Sequence, residues 1–180
     1  MRRWLLTASV VAICTASALA GYQHVRSNGD GWREIAWPFP RDAWPAGRAF
    51  RCANDACGGG EIEVYVRPKI GFCNCDSGVA DDDEVDRVAD LDLMSERFVP
   101  LTPGGVVEVA DMHGRLRSYD LRMQDGSRHT AVGIALSKHC DLLVAVAKGS
   151  GEAPGVQRAA LEFLKSIAMK KWMTAAIDGG

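Results

Sequence analysis

The chain has 180 residues and a formal net charge of −2, and 47% of its residues are hydrophobic. This length suits one globular domain with a real hydrophobic core. A mildly acidic protein with scattered basic residues is excluded as a sequence-independent nucleic-acid binder, because such binders need a basic patch to neutralise phosphates.

The first twenty residues have the layout of a secretory signal peptide. Arg2 and Arg3 form a cationic start, and the run Trp4–Ala16 is mostly apolar and uncharged. Ala18–Ala20 then supplies the small-x-small pattern that a signal peptidase cleaves. The sequence therefore predicts cleavage between Ala20 and Gly21, with a periplasmic or secreted mature protein.

Three alternatives to ordinary secretion are open. An uncleaved anchor is disfavoured because the apolar run is short against the ~20 residues of a spanning helix; membrane association is expected only if the segment is retained. Lipidation is disfavoured because Cys14 follows the bulky Ile13 inside the apolar run. Twin-arginine export is disfavoured because little precedes Arg2 and Arg3. Removal of the signal peptide changes the net charge to −4.

Residues 21–50 form an aromatic and proline-rich segment. Trp32, Trp37, Phe39 and Trp44 fall within thirteen residues, and the prolines between and beside them prevent a continuous helix or a central strand. We expect an N-terminal strap that crosses the surface and places its rings in the core. The functional alternative is an aromatic contact surface, formed by Trp32, Trp37 and Trp44, for a sugar, a peptide or a membrane interface.

Five cysteines remain after signal cleavage, and in an oxidising compartment they are first interpreted as disulfides. The odd count leaves at least one thiol without a partner inside the chain. Cys140, in a turn or at a strand end, is the candidate for that free thiol. The cysteines are Cys52, Cys57, Cys73, Cys75 and Cys140.

The first four of these cysteines cluster around a predicted strand, Glu61–Arg67, which Pro68 interrupts. The extended piece that follows would place Cys73 and Cys75 on one face, each paired with Cys52 or Cys57. The alternative pairs Cys52 with Cys57 and leaves the other two for different partners.

Metal binding is the competing interpretation of the cysteines. A four-thiolate site is disfavoured, because the single residue between Cys73 and Cys75 does not fit the usual zinc spacing. A soft-metal site at His139 and Cys140 stays open. We expect no cofactor.

An acidic stretch, Ala80–Met94, predicts a short helix. Asp81 is a suitable N-cap with Glu84 three residues later, and Val85 and Val88 form a partial buried stripe. Calcium binding is the alternative, but the EF-hand order of acidic residues around a glycine is absent.

The C-terminal half predicts an antiparallel β-meander followed by one long amphipathic helix, Val156–Met173. The sequence Gln124–Ser127 is a turn signal. The implied fold is a single α+β domain of two layers, residues 51–180, with the meander packed against the helix. The predicted strands are Val106–Met112, Arg115–Met123, Thr130–Ser137 and Leu142–Ala147.

The order of meander and helix across Val106–Met173 resembles the PsbP-like α/β/α sandwich proteins. Those proteins are mostly exported or lumenal accessory factors that bind larger assemblies. The whole chain also resembles the uncharacterised small exported proteins of bacteria. Neither resemblance implies particular functional residues.

Catalytic and cofactor motifs are absent: there is no nucleophile elbow, zinc-protease helix, phosphate loop, dinucleotide fingerprint or Cys-x-x-Cys. We therefore expect a non-catalytic, disulfide-stabilised accessory or binding protein whose partner is an unknown protein or envelope component. The alternative is a periplasmic thiol-based metal-binding or redox protein that uses Cys52, Cys57, Cys73 and Cys75.

Overall fold

The computed structural model describes residues 31–40, 42–53, 56–57, 60–71 and 74–179, which form eight strands and four helices. The expected signal peptide and Cys73 lie outside the described residues. The strands are β1 (Trp32–Ile35), β2 (Arg48–Cys52), β3 (Ile62–Lys69), β4 (Phe98–Pro100), β5 (Gly105–Val109), β6 (Met112–Arg122), β7 (Arg128–Lys138) and β8 (Asp141–Gly149). The helices are α1 (Asp82–Val88), α2 (Leu91–Met94), α3 (Ala153–Leu164) and α4 (Ile167–Asp178).

All strands belong to one antiparallel sheet, which confirms the α+β class. The order is β1-β2-β3-β8-β7-β6-β4, and β5 pairs with the other end of β6. The second half of the chain is a meander, because β6, β7 and β8 follow one another in sequence and in space. The first three strands extend the sheet from β8, since β3 pairs along β8 from Ile62↔Gly149 to Lys69↔Leu142.

The sheet is covered by helices on both faces, so the two-layer prediction is wrong. Residues of α3 and α4 pack on one face, where Phe163 and Met173 join the larger core. Residues of α1 and α2 pack on the other face, where Val88 and Leu91 join a second core. The central strand β8 is buried on both sides along Leu142–Ala147, which explains why that run is apolar without alternation.

The single long C-terminal helix is also wrong in detail, because two helices occupy this region. The first ends at Leu164, and the Ser166 hydroxyl then accepts a hydrogen bond from the Met169 amide at 3.4 Å. A serine in extended conformation begins a new helix in this way. The break reorients the chain so that both helices bury their apolar residues against the sheet.

Two strand boundaries differ from expectation. Strand β3 continues through Pro68, which the sheet tolerates because the pairing with β2 ends at Arg48↔Val66 and no hydrogen bond is required of Pro68 on that side. The predicted strand Val106–Met112 instead contains the hairpin turn between β5 and β6. Its two turn residues, Ala110 and Asp111, both have positive φ, and this pair lacks the glycine that usually marks such a turn.

The acidic helix is confirmed as α1. The Asp81 carboxylate accepts a hydrogen bond from the Glu84 amide at 2.9 Å, and Val85 and Val88 are buried. Asp82 forms an ion pair with Arg115 of β6 at 2.7 Å, so this carboxylate anchors the helix to the sheet.

Part of the expected N-terminal strap is a strand of the sheet. Residues 32–35 form β1, which pairs with β2, whereas residues 36–40 and 42–47, here named the crossing segment, cross the surface without regular structure. Residues 21–30 lie outside the described part of the chain.

Candidate functional site

The described cysteines form two disulfides, Cys52–Cys57 and Cys75–Cys140. The preferred prediction, that Cys73 and Cys75 each pair with Cys52 or Cys57, is therefore wrong for Cys52, Cys57 and Cys75. The alternative pairing of Cys52 with Cys57 is present. The prediction of Cys140 as the free thiol is also wrong. The chain turns after β3, where the Gly71 amide donates to Asp141 at 2.6 Å, and this contact brings the following loop beside the β7–β8 hairpin.

The two disulfides lie near opposite ends of strand β8. The predicted cluster of four cysteines therefore does not form from the described residues. Cys52 pairs with Ile62, which pairs with Gly149 at one end of β8, whereas Cys140 precedes the other end. Within the described ranges, no group of three or more histidine, cysteine, aspartate or glutamate residues is arranged to bind a metal. The Cys140 sulfur is bonded to Cys75, which removes it as a thiolate ligand beside His139.

The three tryptophans that the sequence marked as one contact surface are divided between the two faces of the sheet. Trp32 is buried in the larger core and stacks on Phe163 with ring centroids 4.3 Å apart. Trp37 and Trp44 are half-buried residues of the crossing segment and lie on the opposite face, where Trp37 contacts Tyr65 and Trp44 lies near Lys69. Trp32 lines a separate cavity on its own face but is only 4% exposed, so Trp37 and Trp44 offer more ring surface to a ligand.

Trp37 and Trp44 line a cavity of about 300 Å³, here named the aromatic pocket. Trp37 contacts Phe39 edge to face with centroids 5.2 Å apart, and Phe39 contacts Tyr65 of β3 at 4.9 Å. Behind Trp37, a gap lined by residues of β3, β8 and α2 has no room for water. The ring is therefore held from behind while it faces the pocket. The lining residues are Trp37, Phe39, Pro40, Asp42, Trp44, Pro45, Ala46 and Arg67.

Gly47 lets the crossing segment lie close to the sheet. A Cβ atom at this position would collide with the backbone carbonyl of Val66, the ring of Trp37 and the Cβ of Arg67. The backbone can therefore approach β3 only because the side chain is a hydrogen atom. This close approach places the rings above the charged residues of β3.

A network of four charged side chains lies at the aromatic pocket: Asp42 and Arg67 line it, and Asp90 and Lys69 continue the network away from the lining. The Arg67 guanidinium bonds Asp42 at 2.8 Å and Asp90 at 2.6 Å, and the Lys69 ammonium bonds Asp90 at 2.6 Å. Lys69 also donates to the Val88 carbonyl at 2.8 Å. Both cations are buried, with side-chain exposures of 4% and 6%, whereas Asp42 retains 35%. Asp42 is thus the charged group of this network that faces solvent at the pocket.

The charges of this network stabilise one another. Burial tends to raise the pKa of Asp42, but the Trp44 amide and the Arg67 guanidinium outweigh it and hold that pKa below its usual value. Burial likewise tends to lower the pKa of Arg67, and its bonds to Asp90 and Asp42 raise it overall. A carboxylate that is already paired and weakly basic is a poor general base near neutral pH. The geometry therefore suits binding better than proton transfer.

A second charged cluster stiffens the same face of β3. Glu63 is 9% exposed in its side chain and accepts bonds from the Tyr65 hydroxyl and Arg51, each at 2.6 Å, with Lys148 at 3.0 Å. Burial alone would raise the pKa of Glu63, but these three donors lower it to about 2. The cluster connects β2, β3 and β8 beside the aromatic pocket.

The sequence indicated the aromatic residues of the site but not its charged network. Tyr65 and Arg67 alternate with Val64 and Val66 along β3, so they lie on its more polar side, but α2 and the crossing segment cover that side. Asp42 and Asp90 come from positions 25 and 23 residues away from Arg67. One signal in the sequence could have indicated the charged residues of the site: the polar positions of this strand carry long charged side chains, and their neighbours are aromatic or β-branched.

Comparisons with known proteins give no family for the chain. No family model matches it, and no curated protein matches it. Among solved structures, it is similar to the crystal structure of PA94 from Pseudomonas aeruginosa, a protein of unknown function, at 11% identity and a TM-score of 0.44. The likeness covers 71% of this chain and 87% of that one.

Proposed function

We propose that this chain is an exported, disulfide-stabilised, non-catalytic binding protein that works in the periplasm or outside the cell. The two disulfides support export, because such bonds persist in oxidising compartments and are rare in the cytosol. The sequence Met1–Ala20 supports it independently through the layout of a signal peptide. No helix within the described ranges has the length and apolar character needed to cross a membrane.

The observation that carries the binding role is the aromatic pocket. It combines rings held from behind, a volume at the lower end of ligand sites, and a few polar groups fixed by mutual bonds. Such a site binds without large rearrangement, because its groups are already oriented. The ligand is a small molecule or an exposed group of an envelope component.

Export and disulfide formation are tested by the intact mass of the chain recovered from a bacterial periplasm. We expect a mass that begins at Gly21, and one alkylated cysteine of the remaining five when no reductant is present. Peptide mapping should link Cys52 to Cys57 and Cys75 to Cys140. Retention of Met1–Ala20, or alkylation of Cys140 without reductant, would contradict this part of the proposal.

Binding is tested by nuclear magnetic resonance of the tryptophan indole N–H groups in the exported chain. A fragment set containing cationic, anionic and neutral compounds is added, without any assumption about ligand class. We expect at least one compound to shift the Trp37 and Trp44 signals while those of Trp32 and Trp172 stay in place. If no compound shifts the first two signals selectively, the pocket is not a binding site.

A further inference from the structure

The charge balance of the aromatic pocket restricts the class of ligand, and this inference rests on the proposed function. Its described charged lining residues are one carboxylate and one cation, Asp42 and Arg67, and Arg67 is bonded in turn to Asp90, which also pairs with Lys69. Each charge is paired within the network. The charges of the described network therefore balance, and none of them is left to pair with a charged ligand.

An anionic ligand is disfavoured because the guanidinium is already occupied. Arg67 makes four hydrogen bonds to the carboxylates of Asp42 and Asp90, between 2.6 and 2.9 Å. An anion would have to displace one carboxylate and leave it unpaired, which is costly for a buried pair. The exposed carboxylate of Asp42 would also repel it.

A cationic ligand is disfavoured because the protein supplies its own cations to the rings. The Arg67 guanidinium lies 5.8 Å from the Trp37 ring centroid, and the Lys69 ammonium lies 5.9 Å from that of Trp44. An aromatic cage attracts a cation through the electron-rich faces of its rings. Here those faces already interact with positive charge, and a further cation would be placed close to both.

A neutral ligand with one apolar face and several hydroxyl groups satisfies the remaining features. The flat rings of Trp37 and Trp44 can cover C–H groups without a charge requirement. The Asp42 carboxylate can accept a hydroxyl: among the described residues, its Oδ1 receives both the Trp44 amide and Arg67, whereas its Oδ2 receives Arg67 alone. A cavity of about 300 Å³ limits the bound portion to a small unit.

We propose that the aromatic pocket binds a neutral sugar ring, stacked on Trp37 and Trp44 and hydrogen-bonded through a hydroxyl to Asp42. The ring is a free saccharide or the exposed end of a glycan in the cell envelope. The ion network holds the crossing segment in place, because Asp42 of that segment is paired with Arg67. The segment therefore loses little conformational freedom when the sugar binds.

The test compares three ligands of nearly equal shape by calorimetry and by the indole signals. The probes are methyl glucoside, glucosamine and glucuronate, which are neutral, cationic and anionic at neutral pH, with methyl galactoside as a second neutral ring. We expect a neutral glycoside to bind most tightly and to shift the Trp37 and Trp44 signals. Its affinity should be the same at low and high salt, because no net charge is exchanged.

Matched tryptophan variants locate the site. Trp44→Ala should weaken glycoside binding about tenfold, since loss of one stacked ring costs about 1.4 kcal/mol. Trp44→Leu controls for folding, because leucine keeps an apolar side chain at this position. This variant should fold like the wild type and still bind the glycoside weakly, because leucine has no flat ring to stack on the sugar. Trp172→Ala removes a half-buried indole of α4, away from the pocket, and should leave the affinity unchanged. Equal weakening by Trp44→Ala and Trp172→Ala would overturn the proposal.

The outcomes separate this inference from the function on which it rests. If glucosamine or glucuronate binds at Trp37 and Trp44 more tightly than both neutral glycosides, the sugar proposal fails while the pocket remains a binding site. If the broader fragment set shifts these signals and no glycoside does, the sugar proposal fails in the same way. If neither set shifts them, both proposals fail.

Discussion

Glu63 provides a quantitative test of the charged face of β3. Its pKa of about 2 in the folded chain lies below the ordinary value of 4.5. The difference corresponds to about 3 kcal/mol of folding free energy at neutral pH, since one unit of pKa is worth about 1.4 kcal/mol. Because the folded-state pKa is the lower one, this contribution is fully present above pH 4.5 and is lost as the pH falls through about 2.

Substitution Glu63→Gln removes the charge while keeping an acceptor for the Tyr65 hydroxyl. We expect the free energy of unfolding to fall by about 3 kcal/mol at pH 7 and by only about 1 kcal/mol at pH 3, because the wild-type contribution is itself smaller there. The measurement is urea unfolding of both proteins followed by circular dichroism, with disulfides intact.

The matched control is Glu61→Gln on the neighbouring residue. Glu61 is 52% exposed and lies 3.5 Å from Arg51, so its loss should cost less than about 1 kcal/mol at either pH. A difference between wild type and Glu63→Gln that stays constant from pH 7 to pH 3 would refute the electrostatic reasoning. In that case, packing rather than charge would account for the loss.

Three further sets of substitutions test the disulfides, the crossing segment and the helix break. Replacing both cysteines of the Cys75–Cys140 pair with serine should lower the free energy of unfolding by about 4 kcal/mol, and the same change in the Cys52–Cys57 pair by about 2 kcal/mol. The difference is expected because the disulfides close loops of 65 and 5 residues, and the longer loop restricts the unfolded chain more. Equal losses in urea unfolding would contradict this reasoning. Gly47→Ala should displace the crossing segment, cost about 1–3 kcal/mol and shift tryptophan fluorescence. Gly105→Ala, which meets open space, is its control, and an equal effect of the two would refute the steric argument. Ser166→Ala should lower the unfolding free energy by about 1 kcal/mol through loss of the cap of α4, and an unchanged value would show that the hydroxyl contributes nothing there.

Secondary structure was predictable wherever one local rule was sufficient. The run Leu142–Ala147 predicted a central strand, and Asp81 with Glu84 predicted the start of a helix, because each signal lies within a few residues. The prediction failed where tertiary contacts decided. Pro68 lies inside β3 because the pairing with β2 has already ended and no hydrogen bond is required of it on that side. The break at Ser166 is a different case: its N-cap is a local signal, but the helical spacing of apolar residues continues across it and favoured one long helix.

The candidate site was predictable only in part, for the same reason. Aromatic residues at short spacing identified Trp37 and Trp44, but nothing local separated them from Trp32, which the alternation of β1 turns toward the other core. The charged network depends on Arg67 meeting two carboxylates more than twenty residues away in opposite directions along the chain. Such contacts follow from strand order and loop path, which a single sequence does not specify.

From sequence alone, the chain could be assigned a predicted export signal, an α+β class, an expectation of disulfides and the absence of familiar catalytic motifs. Each of these depends on composition or on spacing within one segment. Tertiary structure decided that Cys75 pairs with Cys140, that helices cover both faces, and that Trp37 and Trp44 stand above a buried ion network. The physical reason is that disulfide partners, sheet faces and ion pairs are set by proximity in space, which long-range packing creates.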